Sequence, residues 1–330
     1  MAGRDWRRLD ESDVRVRPGR GSRPRSKRRP EHADAVPAMV VAVDRGRWTC
    51  AVDGDPERLA TAMRARELGR TPIVVGDRVG LVGDVSGKPD TLARIVRVEE
   101  RSSVLRRTAD DTDPYERVVV ANAEQLLIVT ALADPPPRTG FIDRCLVACY
   151  AGGLQPVLCL TKADLASPDD LLARYGELDV PTLVTRHDQE SEELVETVHG
   201  RVSAFVGHSG VGKSTLVNRL VPDAALATGE VSAVGKGRHT SVAAVALPLP
   251  GGNGWVIDTP GVRSFGLAHI TADDIVSAFP EFTEAAEECP PGCGHLGPPE
   301  DPDCMLDEVP EKRRLPSLRR LLASRAGLET

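Results

Sequence analysis

Short apolar runs separated by turn residues make up the first patterned part of the chain. The runs cover 36–43, 73–75, 78–82 and 92–98, and Asp53-Gly54-Asp55 gives a turn signal between the first two. Short strands broken by glycine and aspartate turns are typical of a small barrel, which the pattern predicts over residues 36–104. An OB-fold fits this length, and an SH3-like barrel fits the pattern nearly as well. OB barrels commonly bind oligonucleotides.

From residue 118 the pattern changes to buried-type strands that alternate with helical stretches. Strands are predicted at 118–121, 126–130, 156–160, 182–185, 202–206 and 254–257. Helices are predicted at 142–151, 169–178 and 190–199, and another one ends at Leu220. Alternation at this spacing predicts an α/β domain with a mostly parallel sheet.

From about residue 271 the chain is predicted to be helical, with one interruption rich in proline, glycine and cysteine. Its last helix is predicted at 311–324 and is basic and amphipathic. The apolar positions of that helix are Leu315, Leu318, Leu321 and Leu322. No internal repeat is visible. The predicted fold class is therefore multidomain α/β: a β-barrel, a mostly parallel α/β domain and a helical C-terminal domain.

Charge divides the chain into a basic arm and an acidic remainder. Residues 1–30 carry 11 Lys+Arg against 4 Asp+Glu, a net +7, whereas the whole chain has a net charge of −7. The segment from Arg20 to Arg29 has almost no apolar content, so we predict a disordered arm suited to nucleic-acid phosphates. A solvated tail that aids solubility is the alternative interpretation.

Composition excludes several classes of protein. The length of 330 residues allows two or three domains, and only 3% of residues are aromatic, so aliphatic side chains must form the core. No apolar run approaches the roughly 18 residues of a membrane span, and no apolar segment follows the N-terminal charges. We therefore expect a cytoplasmic protein with no membrane partner.

The strongest motif is a phosphate loop, Gly207-His208-Ser209-Gly210-Val211-Gly212-Lys213-Ser214, followed by Thr215. It follows an apolar strand and opens a helix, which is the context that the motif requires. Its glycines let backbone N–H groups converge on phosphate oxygens. Lys213 is predicted to contact the β- and γ-phosphates, and the Ser214 hydroxyl to bind Mg²⁺. This loop does not by itself distinguish ATP from GTP.

The motif Thr161-Lys162-Ala163-Asp164 predicts guanine selection. Guanine presents two donors, N1–H and the 2-amino group, and the Asp164 carboxylate can accept both. Adenine has neither, so it would leave the carboxylate unpaired, and such a site rejects the analogue by roughly 10⁴ or more. Taken alone, a Lys-x-Asp after a strand could equally be a surface turn.

Asp258-Thr259-Pro260-Gly261 ends the predicted strand at 254–257. We predict that Asp258 holds Mg²⁺ through water and that the Gly261 N–H meets the γ-phosphate. A strand-terminating Pro-Gly turn is the alternative. Val262 follows where many GTPases place a glutamine that orients the attacking water. Because an apolar side chain cannot do this, intrinsic hydrolysis should be slow unless another group or a partner completes the site.

A segment rich in glycine and charge, Gly235–Ser241, lies between these motifs and is predicted to be a mobile switch loop. His239 is the candidate catalytic residue, positioning water as a neutral imidazole. A loop histidine without such a role fits the sequence equally well. Thr240 is predicted to be a magnesium ligand, and Ser241 is the adjacent alternative.

Three cysteines and a histidine cluster late in the chain as Cys289-x₃-Cys293-x-His295-x₈-Cys304. Three thiolates and one imidazole complete a tetrahedral Zn²⁺ shell, so we predict one structural zinc ion. Unligated free cysteines are the alternative. The other four cysteines lie in apolar stretches and are interpreted as core residues.

The order of these motifs is informative, because the guanine-reading motif precedes the phosphate loop, whereas ordinary GTPases have the reverse order. That arrangement predicts a circularly permuted GTPase. With Gly-Arg-His-Thr at 237–240 and the cysteine cluster, the chain resembles the ribosome small-subunit-dependent GTPase A family. Ala121–Gln125 and Ile142-Asp143-Arg144 are also similar to that family's pattern. A Ser-Ala-type loop that contacts the base is not recognisable around Thr185-Arg186-His187.

The resemblance implies a domain plan and partners. After the basic tail, set at 1–35 from its charge, it implies an OB-like RNA-binding barrel at 36–104, a permuted GTPase domain at 105–270 and a zinc-binding helical domain at 271–330. It implies GTP hydrolysis in late 30S maturation, with Mg²⁺ and GTP or GDP bound, 16S rRNA contacted and the small subunit as stimulator. We expect a monomer. Two alternatives stay open: an RNA-binding assembly protein with a vestigial nucleotide domain, and an ATP-dependent P-loop kinase.

Overall fold

The structure is a computed structural model, and it describes residues 32–108, 115, 117–189, 191–222, 244–259 and 266–328. The first part of this range is a five-stranded barrel. Its strands are β1 (Val36–Asp44), β2 (Arg47–Val52), β3 (Leu59–Arg64), β4 (Arg78–Gly83) and β5 (Ala93–Val98). They pair in the order β1-β2-β3-β5-β4, and β4 closes the barrel by pairing with β1. Only the β3–β5 pairing among them is parallel. The OB-like barrel is therefore confirmed.

One apolar run of the barrel region, 73–75, is not a strand. Val75 lies in no named strand and forms a single bridge with Val120. The buried Asp77 carboxylate accepts the Val74 N–H at 2.8 Å and pairs with Arg101 at 2.7 Å. The Asp77 side chain thus accepts the Val74 N–H, which in a strand would donate to a neighbouring strand. The run therefore forms a turn beside the barrel.

Gly76 fixes the contact between this turn and the segment that follows the barrel. Its φ is +89°, and a Cβ placed there would lie 1.9 Å from the carbonyl oxygen of Ala121. The Asn122 side chain donates to the Gly76 carbonyl at 2.9 Å, which holds the two segments together. This position therefore requires glycine both for its backbone conformation and for the close approach.

Replacing Gly76 with alanine is expected to lower the free energy of unfolding by about 3 kcal/mol or more, since backbone must move to relieve the clash. Urea unfolding measures this. Gly46→Ala is the matched control, because Gly46 has φ +80° but no atom within 4 Å of its would-be Cβ. Equal destabilisation of the two variants would contradict this account of the contact.

A two-stranded hairpin follows the barrel. It consists of β6 (Val104–Arg107) and β7 (Arg117–Ala121), which pair with each other in a sheet of their own. The predicted strand at 118–121 is therefore present but does not begin the parallel sheet. Its carboxyl end is instead tied by Asn122 to the turn at Gly76.

The described residues of the α/β part form six further strands and four α-helices. The strands are β8 (Gln125–Ala131), β9 (Gln155–Thr161), β10 (Thr182–Val184), β11 (Val202–Val206), β12 (Val245–Pro248) and β13 (Trp255–Asp258). The helices are α1 (Thr139–Gly152), α2 (Asp169–Tyr175), α3 (Glu192–Val198) and α4 (Lys213–Leu220). The sheet order is β10-β9-β8-β11-β13-β12, and every pairing is parallel except β12–β13. This confirms the mostly parallel sheet.

The two sheets are continuous, because β12 also pairs with β1 of the barrel through Ala42 and Val245. The described strands of both parts thus form one sheet of 11 strands. The predicted domain limits at 35, 104 and 270 remain predictions.

The C-terminal part is helical, with α5 (Ala272–Val276), α6 (Pro280–Glu287) and α7 (Leu315–Arg325). The four leucines predicted to form the apolar side of the last helix are all buried. That helix begins at Leu315 and not at 311. Pro316 lies in its first turn, where its missing N–H needs no partner. In a helix that began at 311 the proline would lie in the interior and break it. No helix in the described ranges is long and apolar enough to cross a membrane.

Asp143 on α1 joins the C-terminal helix to the α/β part. Its carboxylate is fully buried and lies 3.4 Å from Arg320 of α7 and 3.8 Å from Arg174 of α2. Burial raises its pKa, and the two arginines oppose that shift. Arg144 adds a hydrogen bond to the Ser324 carbonyl at 3.1 Å. A charged network thus orients α7 on α1.

Candidate functional site

The phosphate loop lies at the carboxyl edge of the parallel sheet, between β11 and α4. Gly212, with φ +91°, directs the chain into α4, which begins at Lys213. Ser214 and Thr215 follow in its first turn and are half-buried. The N-terminus of a helix presents free N–H groups and a partial positive charge. This geometry is suited to binding phosphate groups.

The guanine-reading motif contacts this loop directly, although 50 residues separate them. Thr161, at the end of β9, donates its hydroxyl to the Val211 carbonyl at 2.6 Å. Lys162, with φ +60°, directs its ammonium to the Asp134 carbonyl after β8. Because the carboxyl ends of parallel strands meet at one edge, the reversed order of the motifs along the chain does not separate them in space.

Replacing the buried Thr161 with valine keeps the shape but removes the hydroxyl that supports the phosphate loop. We expect a loss of about 1–3 kcal/mol of stability from the unpaired Val211 carbonyl. We also expect GDP affinity to fall about tenfold, the equivalent of roughly 1.4 kcal/mol. Thr182→Val is the control, since that hydroxyl bonds only the nearby Val180 carbonyl among the contacts described. Unchanged GDP affinity in Thr161→Val would contradict the expectation.

Asp164 is exposed at the same edge, beside the loop that follows β10. The backbone N–H of His187 donates to its carboxylate at 3.2 Å, and the Ala163 N–H donates to the Thr185 carbonyl at 3.2 Å. The sequence did not identify this loop, because Thr-Arg-His does not match the Ser-Ala pattern. The strand order placed the loop near Thr185, but no residue pattern indicated which of its groups meet Asp164.

Lys213 and Asp258 form an ion pair in which each side chain is only 10% exposed. Asp258 ends β13, which pairs with β11, so its carboxylate faces the start of α4. Thr259 donates its hydroxyl to the Phe205 carbonyl at 2.6 Å and fixes the end of the strand. An ammonium and a carboxylate thus lie together at the phosphate loop, and Ser214 follows Lys213 in the first turn of α4, so the residue types present fit phosphate and Mg²⁺.

His208 links the phosphate loop to α1, a contact that the sequence did not indicate. Its ring lies against Phe141, with 4.2 Å between the ring centroids and an angle of 47° between the planes. Burial lowers the pKa of His208, and the charge of Arg138 adds to this shift. The lowered pKa favours the neutral form of the ring that lies against Phe141.

Several predicted site residues lie outside the described residues. These are His239, Thr240, Ser241, Gly261 and Val262. Their predicted roles in positioning water, binding Mg²⁺ and meeting the γ-phosphate stay predictions.

The predicted metal site is assembled in the C-terminal part. One ligand atom from each of Cys289, Cys293, His295 and Cys304 lies within 4.8 Å of all the others. His295 Nδ1 is 3.4 Å from the Cys289 Sγ and 4.0 Å from the Cys304 Sγ. A tetrahedral zinc shell separates its ligand atoms by roughly 3.5–3.8 Å, from bond lengths of about 2.0–2.3 Å. The four side chains therefore fit a metal ion of this kind.

Neighbouring groups orient these ligands. The Met305 N–H donates to the Cys289 Sγ at 3.3 Å, and the His295 N–H donates to the Cys293 Sγ at 3.4 Å. On the other side of the imidazole, His295 Nε2 lies 3.7 Å from a carboxylate oxygen of Asp273. At this separation the exposed carboxylate lies beyond hydrogen-bond range and adds only a negative charge behind the ring. The spacing of the cysteines gave no sign of Asp273.

The permuted order of segments and the phosphate loop beside a Thr-Lys-x-Asp motif define a circularly permuted GTPase. A family model described as RsgA GTPase matches residues 98–268. The chain belongs to the RsgA GTPase family and is a GTPase.

Curated relatives and solved structures agree with this assignment. The small ribosomal subunit biogenesis GTPase RsgA of Gemmatimonas aurantiaca is 39% identical over 77% of this chain and 85% of its own length. The protein of the same name from Chlorobaculum parvum is 38% identical over 76% of this chain and 83% of its own length. The crystal structure of YjeQ from Thermotoga maritima, 26% identical, superposes with a TM-score of 0.63 over 88% of this chain and 99% of that one. YloQ, described as a circularly permuted GTPase, has the same fold at 18% identity. The TM-score is 0.60 over 91% of this chain and 98% of YloQ.

Proposed function

We propose that this GTPase acts in late maturation of the 30S ribosomal subunit, and that the small subunit stimulates its hydrolysis of GTP. The observation that carries the proposal is the shared name of relatives 38–39% identical over 76–77% of this chain, which are small ribosomal subunit biogenesis GTPases. The Lys213–Asp258 pair at the phosphate loop argues against a vestigial nucleotide domain. Thr161-Lys162-x-Asp164 beside that loop argues against an ATP-dependent kinase.

In the proposed site the β- and γ-phosphates of GTP lie on the loop 207–214. Lys213 neutralises their charge, and Ser214 and Asp258 hold Mg²⁺, Asp258 through water. When bound there, the ion would supply positive charge that stabilises the transferring phosphoryl group. The ion pair between Lys213 and Asp258 supports this assignment, because it keeps both groups at the phosphate loop.

The guanine base lies on Lys162 and donates its N1–H and 2-amino group to Asp164. The exposed position of that carboxylate, with one oxygen accepting from the His187 N–H, leaves lone pairs free for both donors. Because Val262 cannot orient water, we propose that His239 does so, and that the subunit completes the site.

The metal at the four-residue cluster is proposed to be a structural zinc ion. Three thiolates and an imidazole occupy all four tetrahedral positions, so no position is left for substrate. The fit of the ligand atoms within 4.8 Å of one another supports the proposal.

The barrel is proposed to contact 16S rRNA. A groove of about 580 Å³ on its surface is lined by three arginines, Arg64, Arg66 and Arg94, by His32 and one acidic residue, Glu67, and by apolar side chains. Guanidinium groups bind phosphate oxygens in pairs, and neutralising phosphates releases counterions. The basic arm before residue 36 is proposed to add further phosphate contacts.

Phosphate release from GTP tests the proposed function. We expect the rate to rise when purified 30S subunits are added and to stay near the intrinsic rate with 50S subunits. The double variant Arg66→Glu, Arg94→Glu should keep the intrinsic rate and lose stimulation, because its substitutions lie in the barrel groove. Equal rates with 30S and 50S subunits would contradict the proposal.

A further inference from the structure

Arg219 makes an unusual set of contacts for an arginine in the last turn of a helix. From α4 its guanidinium donates to the carbonyl of Arg186 at 3.1 Å, to that of Gln189 at 3.0 Å, and to that of His187. All three acceptors belong to the loop after β10. The same α4 begins with Lys213 and Ser214, so one short helix touches both the phosphate loop and the loop beside Asp164.

Side-chain packing contributes little to the described part of this loop. The side chains of residues 186–189 are all exposed, whereas Thr185 before them is 3% exposed and anchored to β9. Thr185 receives the Ala163 N–H and donates its own N–H to the Leu160 carbonyl at 2.7 Å. Beyond Thr185, the loop is held by hydrogen bonds: three from Arg219, and one from the His187 N–H to Asp164. A guanidinium suits this task because its five donors are fixed in one plane.

The contacts of Arg219 and Asp164 meet on one peptide unit. The carbonyl of Arg186 and the N–H of His187 belong to the same planar trans peptide, so they point in opposite directions. The carbonyl accepts from Arg219, and the N–H donates to the Asp164 carboxylate at 3.2 Å. Fixing the oxygen therefore fixes the direction of the N–H and, through it, the orientation of the carboxylate.

We infer that Arg219 is a positioning residue for guanine selection, acting through the Arg186–His187 peptide on Asp164. The inference rests on the proposed role of Asp164 in accepting the two donors of guanine. It assigns to Arg219 no contact with the nucleotide. Arg219 aligns the Asp164 carboxylate before the base binds. Because the carboxylate is already oriented, less conformational entropy is lost on binding.

The experiment compares equilibrium affinities for GDP, IDP and ADP in the full chain. IDP lacks the 2-amino group and offers Asp164 one donor, and ADP offers it none. In Arg219→Met, which keeps the side-chain stem and helix propensity, we expect GDP affinity to fall roughly tenfold, the size of one lost charge-assisted hydrogen bond. IDP affinity should fall less, and ADP affinity should not change. Arg219→Lys, which loses the fork but keeps the charge, should show the same selective loss if the methionine variant does not fold.

Controls separate failure of this inference from failure of the proposed site. Arg58→Ala, an exposed arginine paired with Asp53 in the barrel, should change none of the three affinities. Asp164→Ala should abolish the preference for GDP over IDP; if it does not, the proposed role of Asp164 fails. If Asp164→Ala abolishes the preference while Arg219→Met keeps it, the inference alone is overturned. An equal loss for all three nucleotides in Arg219→Met would also overturn it, because Arg219 would then support only the phosphate loop.

Discussion

Replacing Lys213 with alanine is expected to reduce kcat/KM for GTP by at least about 10²-fold, the usual cost of removing one group that stabilises transition-state charge. Two effects combine. The phosphates lose their neutralising ammonium, and Asp258, whose side chain is only 10% exposed, loses its partner. An unpaired buried carboxylate repels phosphate oxygens and destabilises the folded state. Single-turnover phosphate release, measured without ribosomal subunits, gives the effect on chemistry.

Two controls make this result interpretable. Lys88→Ala removes an exposed lysine of the barrel and should leave intrinsic hydrolysis unchanged. Asp258→Asn, tested alongside, removes the opposite charge and should impair magnesium-dependent turnover as well. Turnover within threefold of the unmodified protein in Lys213→Ala would contradict the assignment of this lysine to the phosphates.

Cys304→Ser is expected to release the proposed zinc ion and unfold the segment from Cys289 to the end of the 3₁₀ turn at Met305–Glu308. Structural zinc contributes apparent binding free energies of about 10–16 kcal/mol in small zinc-finger peptides, which is comparable with the whole free energy of unfolding of a typical domain, about 5–15 kcal/mol. Cys304 is 3% exposed, and a serine there would be a poor ligand in a buried place. Elemental analysis should give one zinc per unmodified chain and less in the variant.

Hydrogen exchange of the same segment tests whether the metal is structural. Protection should be lost in Cys304→Ser and after chelation of the unmodified protein. Cys159→Ala, a fully buried cysteine of β9, is the matched control: it should cost about 1 kcal/mol or more of stability and keep the zinc. Full zinc content in Cys304→Ser would show that the four residues do not form a closed site.

The parts of the fold that the sequence predicted best are those whose pattern is strong and local. All seven residues of β8 are buried, as are five of the seven in β9, which is why both read as continuous apolar runs. The phosphate loop and the metal cluster were recognisable because each places its chemistry within about 16 residues, with spacing that the geometry of the bound group requires.

The parts that the sequence did not predict depend on distant partners. The strand β12 has an ordinary composition, and its pairing with Ala42 across some 200 residues, which joins the barrel to the sheet, has no local signature. The barrel strands β2 and β3 were also not assigned individually. The run 73–75 had the composition of a strand but became a turn, because a side chain of Asp77 took its backbone hydrogen bond.

The site shows the same division. Asp164 and Lys213 lie in motifs and could be named in advance, whereas Arg219 and the backbone of residues 186–189 could not. Their contribution comes from carbonyl and N–H directions, which every residue type can provide. Such positions leave no residue-type signal until the fold is known.

The central claim is that two segments in reversed order along the chain form one pocket that binds a guanine nucleotide. A crystal structure of the protein with GDP and Mg²⁺ tests it most directly. We predict that the phosphates lie on residues 207–214 and that the base donates to the Asp164 carboxylate. GDP bound away from either the phosphate loop or Asp164 would contradict the account.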